Sequence, residues 1–98
     1  MHSPISQPEN DALRRRRLLF RATHRGTYEN DLLIGGFVKD RLARFTPAEM
    51  DALEAIMKLP DALLTDWLLD REPIPPESDS TMLQAMLAAA RAGQGRVR

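Results

Sequence analysis

Few side chains in this sequence are of the types that catalyse reactions or bind metal ions. The chain has two histidines, His2 and His24, and no cysteine. A protein metal site needs three or four converging ligands, and a catalytic triad needs its histidine held in a concave site. Without cysteine the chain has neither disulfides nor thiolate ligands, which is compatible with a reducing cytoplasm. The sequence therefore favours a cytoplasmic protein that is not an enzyme and has no metal site.

The clearest candidate for a binding role is residues 25–31, which we call the Arg-Gly segment. Glycine at position 26 lets another backbone approach closely, and Arg25 offers a planar fork of donors suited to carboxylates or phosphates. Tyr28 adds an aromatic anchor of the kind that dominates the energetics of protein interfaces. Arg25 and Glu29 are four residues apart, so they can pair if a helix begins early. An ordinary connection, with glycine for the turn and acidic residues at the helix start, fits the same residues.

The charges cancel over the whole chain but are unevenly distributed. Residues 1–25 carry six arginines and two acids, a net charge of +4, and residues 80–98 carry three arginines and no acid. Residues 26–79 between them carry five basic and twelve acidic groups, a net charge of −7. The helices with the clearest periodicity are acidic, whereas a DNA-recognition helix is typically basic. We therefore predict no nucleic-acid partner. The alternative function is that of a small helical nucleic-acid-binding module.

Apolar residues at helical spacing predict five helices and no strand. The first helix is capped by Asn10 or Asp11 and ends near Thr23, and the second spans about residues 28–43. Gly35-Gly36 in the second helix costs roughly 2 kcal/mol of helix propensity, which close packing of a neighbouring helix would offset. The apolar positions are Leu13, Leu19 and Phe20 in the first helix, and Ile34, Phe37, Val38, Leu42 and Phe45 in the second.

The strongest local signal in the chain is Thr46-Pro47-Ala48-Glu49. A threonine cap, a proline at the first helical position and a glutamate three residues after the cap form a capping box, which opens a third helix that ends near Leu59. Pro60 then opens a fourth helix at its own first position, and three prolines predict a linker over residues 71–76. The fifth helix is capped by Ser78, Asp79 or Ser80. The inward positions are Met50, Leu53, Ile56 and Met57, then Leu63, Leu64, Trp67 and Leu68, then Leu83, Met86, Leu87 and Ala90.

These elements predict an all-α fold, a compact five-helix bundle in a single domain. We expect residues 1–9 to be a disordered lead-in, residues 10–92 to form the bundle, and residues 93–98 to be a flexible basic tail. No run of about 18 or more apolar residues is present, so no membrane span is predicted. We expect a monomer, and a homo-oligomeric module that packs through Gly35-Gly36 is a further alternative.

The Arg-Gly segment resembles the R-G-x-x-E signature of the succinate dehydrogenase assembly factor 2 family, the small flavinylation factors of bacteria and mitochondria. The apolar run that follows and ends at Phe37, the helix after Thr46, and the Trp67-Leu68 pair lie at spacings similar to those of the family. The resemblance covers about residues 12–92. The chain departs from the family pattern at His24, where a basic residue is frequent, and at the two middle residues of the motif.

This resemblance implies a five-helix bundle that binds the flavoprotein subunit of succinate dehydrogenase, with the corresponding subunit of fumarate reductase as a second candidate. The family promotes covalent attachment of FAD to a histidine of that subunit. The factor is expected to act as an assembly chaperone with no stably bound cofactor, since the flavoprotein supplies the histidine and the FAD. The partner-binding residues implied by position, with Tyr28 as the aromatic anchor, are Arg25, Gly26, Tyr28, Glu29 and Asp31.

Overall fold

The computed structural model describes residues 8–93, and over this range every regular element is helical. Each helix packs against at least two others, which confirms the predicted all-α five-helix bundle. Leu42–Arg44 and Pro76–Ser78 form short 3-10 turns, the first directly after α2 and the second shortly before α5. The helices are α1 (Pro8–Thr23), α2 (Tyr28–Arg41), α3 (Pro47–Met57), α4 (Asp61–Leu68) and α5 (Thr81–Arg91).

Side-chain caps define where three of the helices begin. At α3 the predicted capping box is confirmed: the Thr46 hydroxyl accepts from the Glu49 N–H at 3.1 Å, and the Glu49 carboxylate accepts from the Thr46 N–H at 2.8 Å. Ser80 caps α5 and Thr27 caps α2 in the same way through one bond each. Pro60 is the residue before α4, not its first residue, because its ψ of 139° is extended.

The start of α1 differs from the prediction. The helix begins at Pro8, so Asn10 and Asp11 lie inside it and neither caps it. Proline is well suited to a first helical position because its missing N–H would have no partner there. The rest of the predicted lead-in, residues 1–7, and most of the predicted tail, residues 94–98, lie outside the described residues.

The core is mainly aliphatic, with the aromatic residues Phe37, Phe45 and Trp67, and contains every inward residue predicted for the second, third and fifth helices. In α1 the buried residues are Leu18 and Ala22; of the predicted apolar residues, Leu19 is half-buried against the core, whereas Phe20 and Leu13 are exposed. Leu63 of α4, predicted to be inward, is also exposed. Fully buried side chains are Leu18, Ile34, Phe37, Val38, Met50, Leu53, Leu64, Leu68, Leu83 and Met86.

The packing of α1 on α2 explains one glycine of the Gly35-Gly36 pair. A β-carbon at Gly35 would lie 2.9 Å from Thr23 Cγ2 and 3.1 Å from the Ala22 carbonyl oxygen. The two helix backbones are therefore in near contact at this point, which is the close packing that the sequence predicted. Because α1 already covers Gly35, this residue is not a free packing face for a second copy of the chain.

Two of the N-terminal arginines hold α1 to the rest of the bundle. Arg14 forms ion pairs with Asp51 and Glu54 of α3. Arg15 donates to the Leu42 and Phe45 carbonyl oxygens, which lie at the two ends of the short turn that follows α2. These guanidinium groups therefore have structural partners, which reduces the positive charge available for a nucleic-acid phosphate backbone.

No helix within residues 8–93 combines the length and the apolar character that crossing a membrane requires.

Replacing Gly35 tests the near contact between α1 and α2. Gly35→Ala is expected to lower the free energy of unfolding by about 1–3 kcal/mol, the usual penalty for overpacking, although alanine has the higher helix propensity. Urea unfolding followed by circular dichroism measures this change in unfolding free energy. In the double variant Thr23→Ser/Gly35→Ala the clashing methyl group is absent, so part of the loss should be recovered. A Gly35→Ala protein as stable as the parent would contradict the close approach.

At the far end of α4, Asp70 pairs with Arg91 of α5, and the two groups are 2.6 Å apart. Hydrogen bonds from Arg91 lower the pKa of Asp70 from its ordinary value of 3.8. The pair therefore stabilises the fold above pH 3.8, and this contribution is lost as the pH falls through the lowered pKa. Both side chains are exposed, so the effect on stability is small. Carboxyl NMR titration should show the Asp70 pKa rising towards 3.8 in Arg91→Gln; an unchanged pKa would contradict the pairing.

Candidate functional site

The Arg-Gly segment occupies the turn between α1 and α2 and the first turn of α2. Gly26 has a φ of +110°, a conformation that residues with a β-carbon rarely adopt. Thr27 is extended, and its hydroxyl accepts from the Asn30 N–H at 3.2 Å, so it caps α2. The chain therefore turns sharply at Gly26 and enters α2 with a satisfied helix start.

Arg25 points inward. Its Nε and Nη2 lie 2.9 and 2.7 Å from Asp61 Oδ1 at the start of α4, and its side chain is only 11% exposed. Its backbone N–H donates to the Asp31 carboxylate. The predicted pairing of Arg25 with Glu29 is therefore wrong, because Arg25 precedes the helix and turns towards α4.

A buried polar group lies directly behind this ion pair. Asn30 is fully buried, and its side-chain amide donates to the Asp61 carbonyl oxygen at 3.2 Å. The Thr65 hydroxyl lies 2.8 Å from Asn30 Oδ1 and 2.9 Å from the Asp61 carbonyl oxygen. Every buried side-chain nitrogen and oxygen of the described residues has a hydrogen-bond partner. The start of α2 is thus joined to the start of α4 by polar contacts within an aliphatic core.

Two side chains of the Arg-Gly segment point outward. Tyr28 is 72% exposed, and Glu29 beside it is exposed as well. Within residues 8–93, the Glu29 side chain forms no hydrogen bond or ion pair. A phenol and a carboxylate presented in this way can form an aromatic contact and accept hydrogen bonds from a partner protein.

An aromatic stack that sequence reasoning missed lies beside the segment. The rings of Phe20 and His24 are 4.0 Å apart and nearly parallel, while Phe20 remains 61% exposed. His24 Nδ1 also lies 2.8 Å from the Phe20 carbonyl oxygen. The spacing of four residues on one helix face was the available signal for this stack.

A shallow groove of about 560 Å³ includes one residue of the segment, Asp31, in its lining. The half-buried Gly36 also lines it. The remaining lining residues are Thr23, Leu32, Gly35, Lys39 and Asp40. Within the described part of the chain, no three His, Asp or Glu side chains lie close enough together to hold a metal ion.

The site therefore has an inner and an outer side. The inner side joins Arg25 and Asp31 to each other and to α4, and sequence reasoning missed its partners Asp61, Asn30 and Thr65. Gly26, Tyr28 and Glu29 form the outer side and are all exposed. An asparagine among the apolar residues of α2 was the one local signal for the inner contacts.

Comparison with known proteins gives a consistent result. The family model described as "Flavinator of succinate dehydrogenase" matches residues 16–90, which include the whole Arg-Gly segment. The FAD assembly factor SdhE of Acetobacter pasteurianus is 48% identical over 87 residues, which are 89% of this chain and 80% of that protein.

Two mitochondrial proteins named succinate dehydrogenase assembly factor 2 are also similar. The Dictyostelium discoideum protein is 29% identical over 70 residues, 71% of this chain. The Mycosarcoma maydis protein is 34% identical over 77 residues, 74% of this chain. The match spans 50% of the first of these relatives and 32% of the second.

Gly26→Ala tests the conformation of the turn. An alanine at this φ is strained by about 1–3 kcal/mol, although a β-carbon would touch nothing within 4 Å. We expect a loss of unfolding free energy of that size in urea titrations. Gly93→Ala is the control, because Gly93 also has a positive φ, +87°, and open space around its α-carbon, but it lies beyond the end of α5, so it should lose less stability. Unchanged stability of Gly26→Ala would show that the turn relaxes.

Proposed function

Because the chain belongs to the flavinator of succinate dehydrogenase family, we propose that it binds the flavoprotein subunit of succinate dehydrogenase and promotes covalent attachment of FAD to it. The observation that carries this proposal is the match of the family model across residues 16–90. The bundle supports it by anchoring Arg25 of the segment to α4, while Tyr28 and Glu29 face outward.

We propose that the factor is not an enzyme and binds no cofactor stably. The partner supplies both reactants, its own histidine and its FAD. When that histidine nitrogen bonds to the flavin methyl carbon, one hydrogen leaves the methyl group and one leaves the imidazole. Both pass to the flavin ring as two electrons and two protons, so the flavin is itself the oxidant. The factor then contributes only positioning, which alone can accelerate a reaction between groups already bound.

The outer side of the Arg-Gly segment is the proposed contact surface. In the proposed complex the segment inserts between two domains of the FAD-loaded flavoprotein subunit. Tyr28 packs against the partner, Glu29 accepts hydrogen bonds from it, and Gly26 leaves room for its backbone. Arg25 and Asp31 complete the surface from behind, through the contacts that hold the turn in place.

The setting of this activity is also a proposal. The factor acts as a monomer in the cytoplasm, on the flavoprotein subunit of succinate dehydrogenase, with the fumarate reductase subunit as a second candidate client. A one-to-one complex is consistent with a single exposed Arg-Gly segment per chain. Capture of the flavoprotein subunit by the tagged factor, identified by mass spectrometry, is the direct test of the partner.

Glu29→Gln and Tyr28→Ala are expected to weaken binding to the FAD-loaded flavoprotein subunit by about tenfold or more, as for central interface residues. Calorimetry measures the affinity, and in-gel flavin fluorescence of the subunit measures covalent FAD. Glu72→Gln is the matched control, because Glu72 is an exposed acid beyond the opposite end of α4. Normal covalent FAD in cells that carry Glu29→Gln would contradict the contact surface.

The two glycine variants distinguish the effect of the shape of the turn on function from the effect of protein stability. Gly26→Ala and Gly93→Ala both place a β-carbon on a residue with a positive φ, yet only Gly26 lies in the proposed contact surface. We expect Gly26→Ala to reduce both complex formation and covalent FAD, and Gly93→Ala to leave both unchanged. Equal losses in the two variants would show that stability, not the shape of the turn, limits function.

A further inference from the structure

We infer that Asp61, the first residue of α4, is a positioning residue for docking: it holds the Arg-Gly segment in the geometry that the partner recognises. This inference rests on the proposed function and extends it to a residue outside the segment. Asp61 lies 36 positions after Arg25 in the chain, so the contact depends on the folded bundle.

The first part of the argument is the side-chain contact. One oxygen of the Asp61 carboxylate accepts from both Nε and Nη2 of Arg25, at 2.9 and 2.7 Å. The Arg25 side chain is 11% exposed and that of Asp61 is 30% exposed. A charge-assisted contact with two donors fixes the orientation of the planar guanidinium group. The residue before Gly26 is thereby anchored to α4.

The second part is the backbone carbonyl of Asp61. It accepts from the Asn30 side-chain amide at 3.2 Å and lies 2.9 Å from the Thr65 hydroxyl, whose single proton is shared with Asn30 Oδ1. Asn30 is fully buried, so breaking these bonds would leave polar groups without water or protein partners. The first turn of α2 is thereby anchored to the same residue of α4.

Together these contacts bracket residues 26–29. Arg25 precedes this stretch and Asn30 follows it, and each is bound to Asp61, through the carboxylate and the carbonyl respectively. Tyr28 and Glu29 then project from a backbone that is fixed on both sides. Fixing a binding segment before the encounter removes the entropy loss of ordering it during binding.

The geometry also indicates how Arg25 contributes to docking. Its guanidinium group is turned towards Asp61, so replacement of Arg25 weakens docking through the loss of this contact. The competing arrangement is one in which Arg25 leaves Asp61 and binds a carboxylate of the partner. The two arrangements make opposite predictions for Asp61, because removal of its charge disorders the segment in the first and frees Arg25 in the second.

A double-mutant cycle with Arg25→Gln and Asp61→Asn distinguishes these arrangements. Binding of the FAD-loaded flavoprotein subunit is measured by calorimetry for the parent, each single variant and the double variant. Asp66→Asn is the matched control, because it removes a different ion pair from the same helix, that with Arg71 at 3.6 Å. Thermal melting of each variant measures stability in parallel.

We expect Asp61→Asn, Arg25→Gln and the double variant each to weaken binding by the same factor, roughly tenfold. Asp66→Asn should bind like the parent even if its melting temperature falls. Unchanged or tighter binding by Asp61→Asn would overturn the inference. The inference would also be overturned if the fold-loss of affinity in the double variant equalled the product of the two single-variant losses, because Arg25 and Asp61 would then act independently.

A measurement on the free protein separates this inference from the proposed function. The backbone amides of Arg25, Asn30 and Asp31, which donate to the Asp31 carboxylate, the Thr27 hydroxyl and the Thr27 carbonyl oxygen, should exchange with solvent about tenfold faster in Asp61→Asn than in the parent or in Asp66→Asn, since local opening becomes easier. Unchanged exchange would overturn the positioning role whatever the partner is. If the parent failed to bind the flavoprotein subunit while exchange behaved as expected, the proposed partner would be wrong and the positioning role would remain.

Discussion

The near contact of α1 and α2 at Gly35 is the constraint on which the rest of the molecule depends. Only a residue without a β-carbon allows the α1 backbone at Ala22 and Thr23 to come so close. That approach holds the C-terminal end of α1 against α2, next to the turn at Gly26 from which Arg25 reaches α4. A change of even a few tenths of an ångström at Gly35 would propagate to the turn, because packed helices are dense and transmit strain.

The second determinant is the polar cluster of Arg25, Asp61, Asn30 and Thr65, which lies beside the apolar core. Burial of Asn30 beside the Arg25–Asp61 ion pair gains little net stability over well-packed apolar residues. The polar contacts instead fix the orientation of the groups they join, because hydrogen bonds form in few geometries whereas aliphatic side chains can pack in many. The bundle thus depends on apolar packing for most of its stability and on a few polar contacts to fix the one turn that the proposed function uses. Asp61 contributes to both ends of that turn.

The features that could be predicted from the sequence are those determined by near neighbours in the chain. The capping box needs only Thr46 and Glu49, three residues apart, and the core face of α2 follows from its own periodicity. The contact of Arg25 with Asp61 could not be predicted, because no local pattern joins residues 36 positions apart. The exposure of Phe20 was missed because the apolar residues of α1 are sparse: the helix buries Leu18 and Ala22, four residues apart, and Phe20 lies off that face.

In the turn over residues 26–29, the path of the backbone and the identity of the contact side chain are determined separately, although in a binding loop they are usually coupled. Its backbone path is determined by Gly26 and by contacts of Arg25 and Asn30 with α4, whereas Tyr28 projects outward and takes no part in those contacts. Position 28 can therefore vary over evolutionary time without disturbing the loop around it. A lineage could adjust its fit to a diverging client through this one side chain while the inherited scaffold stays intact.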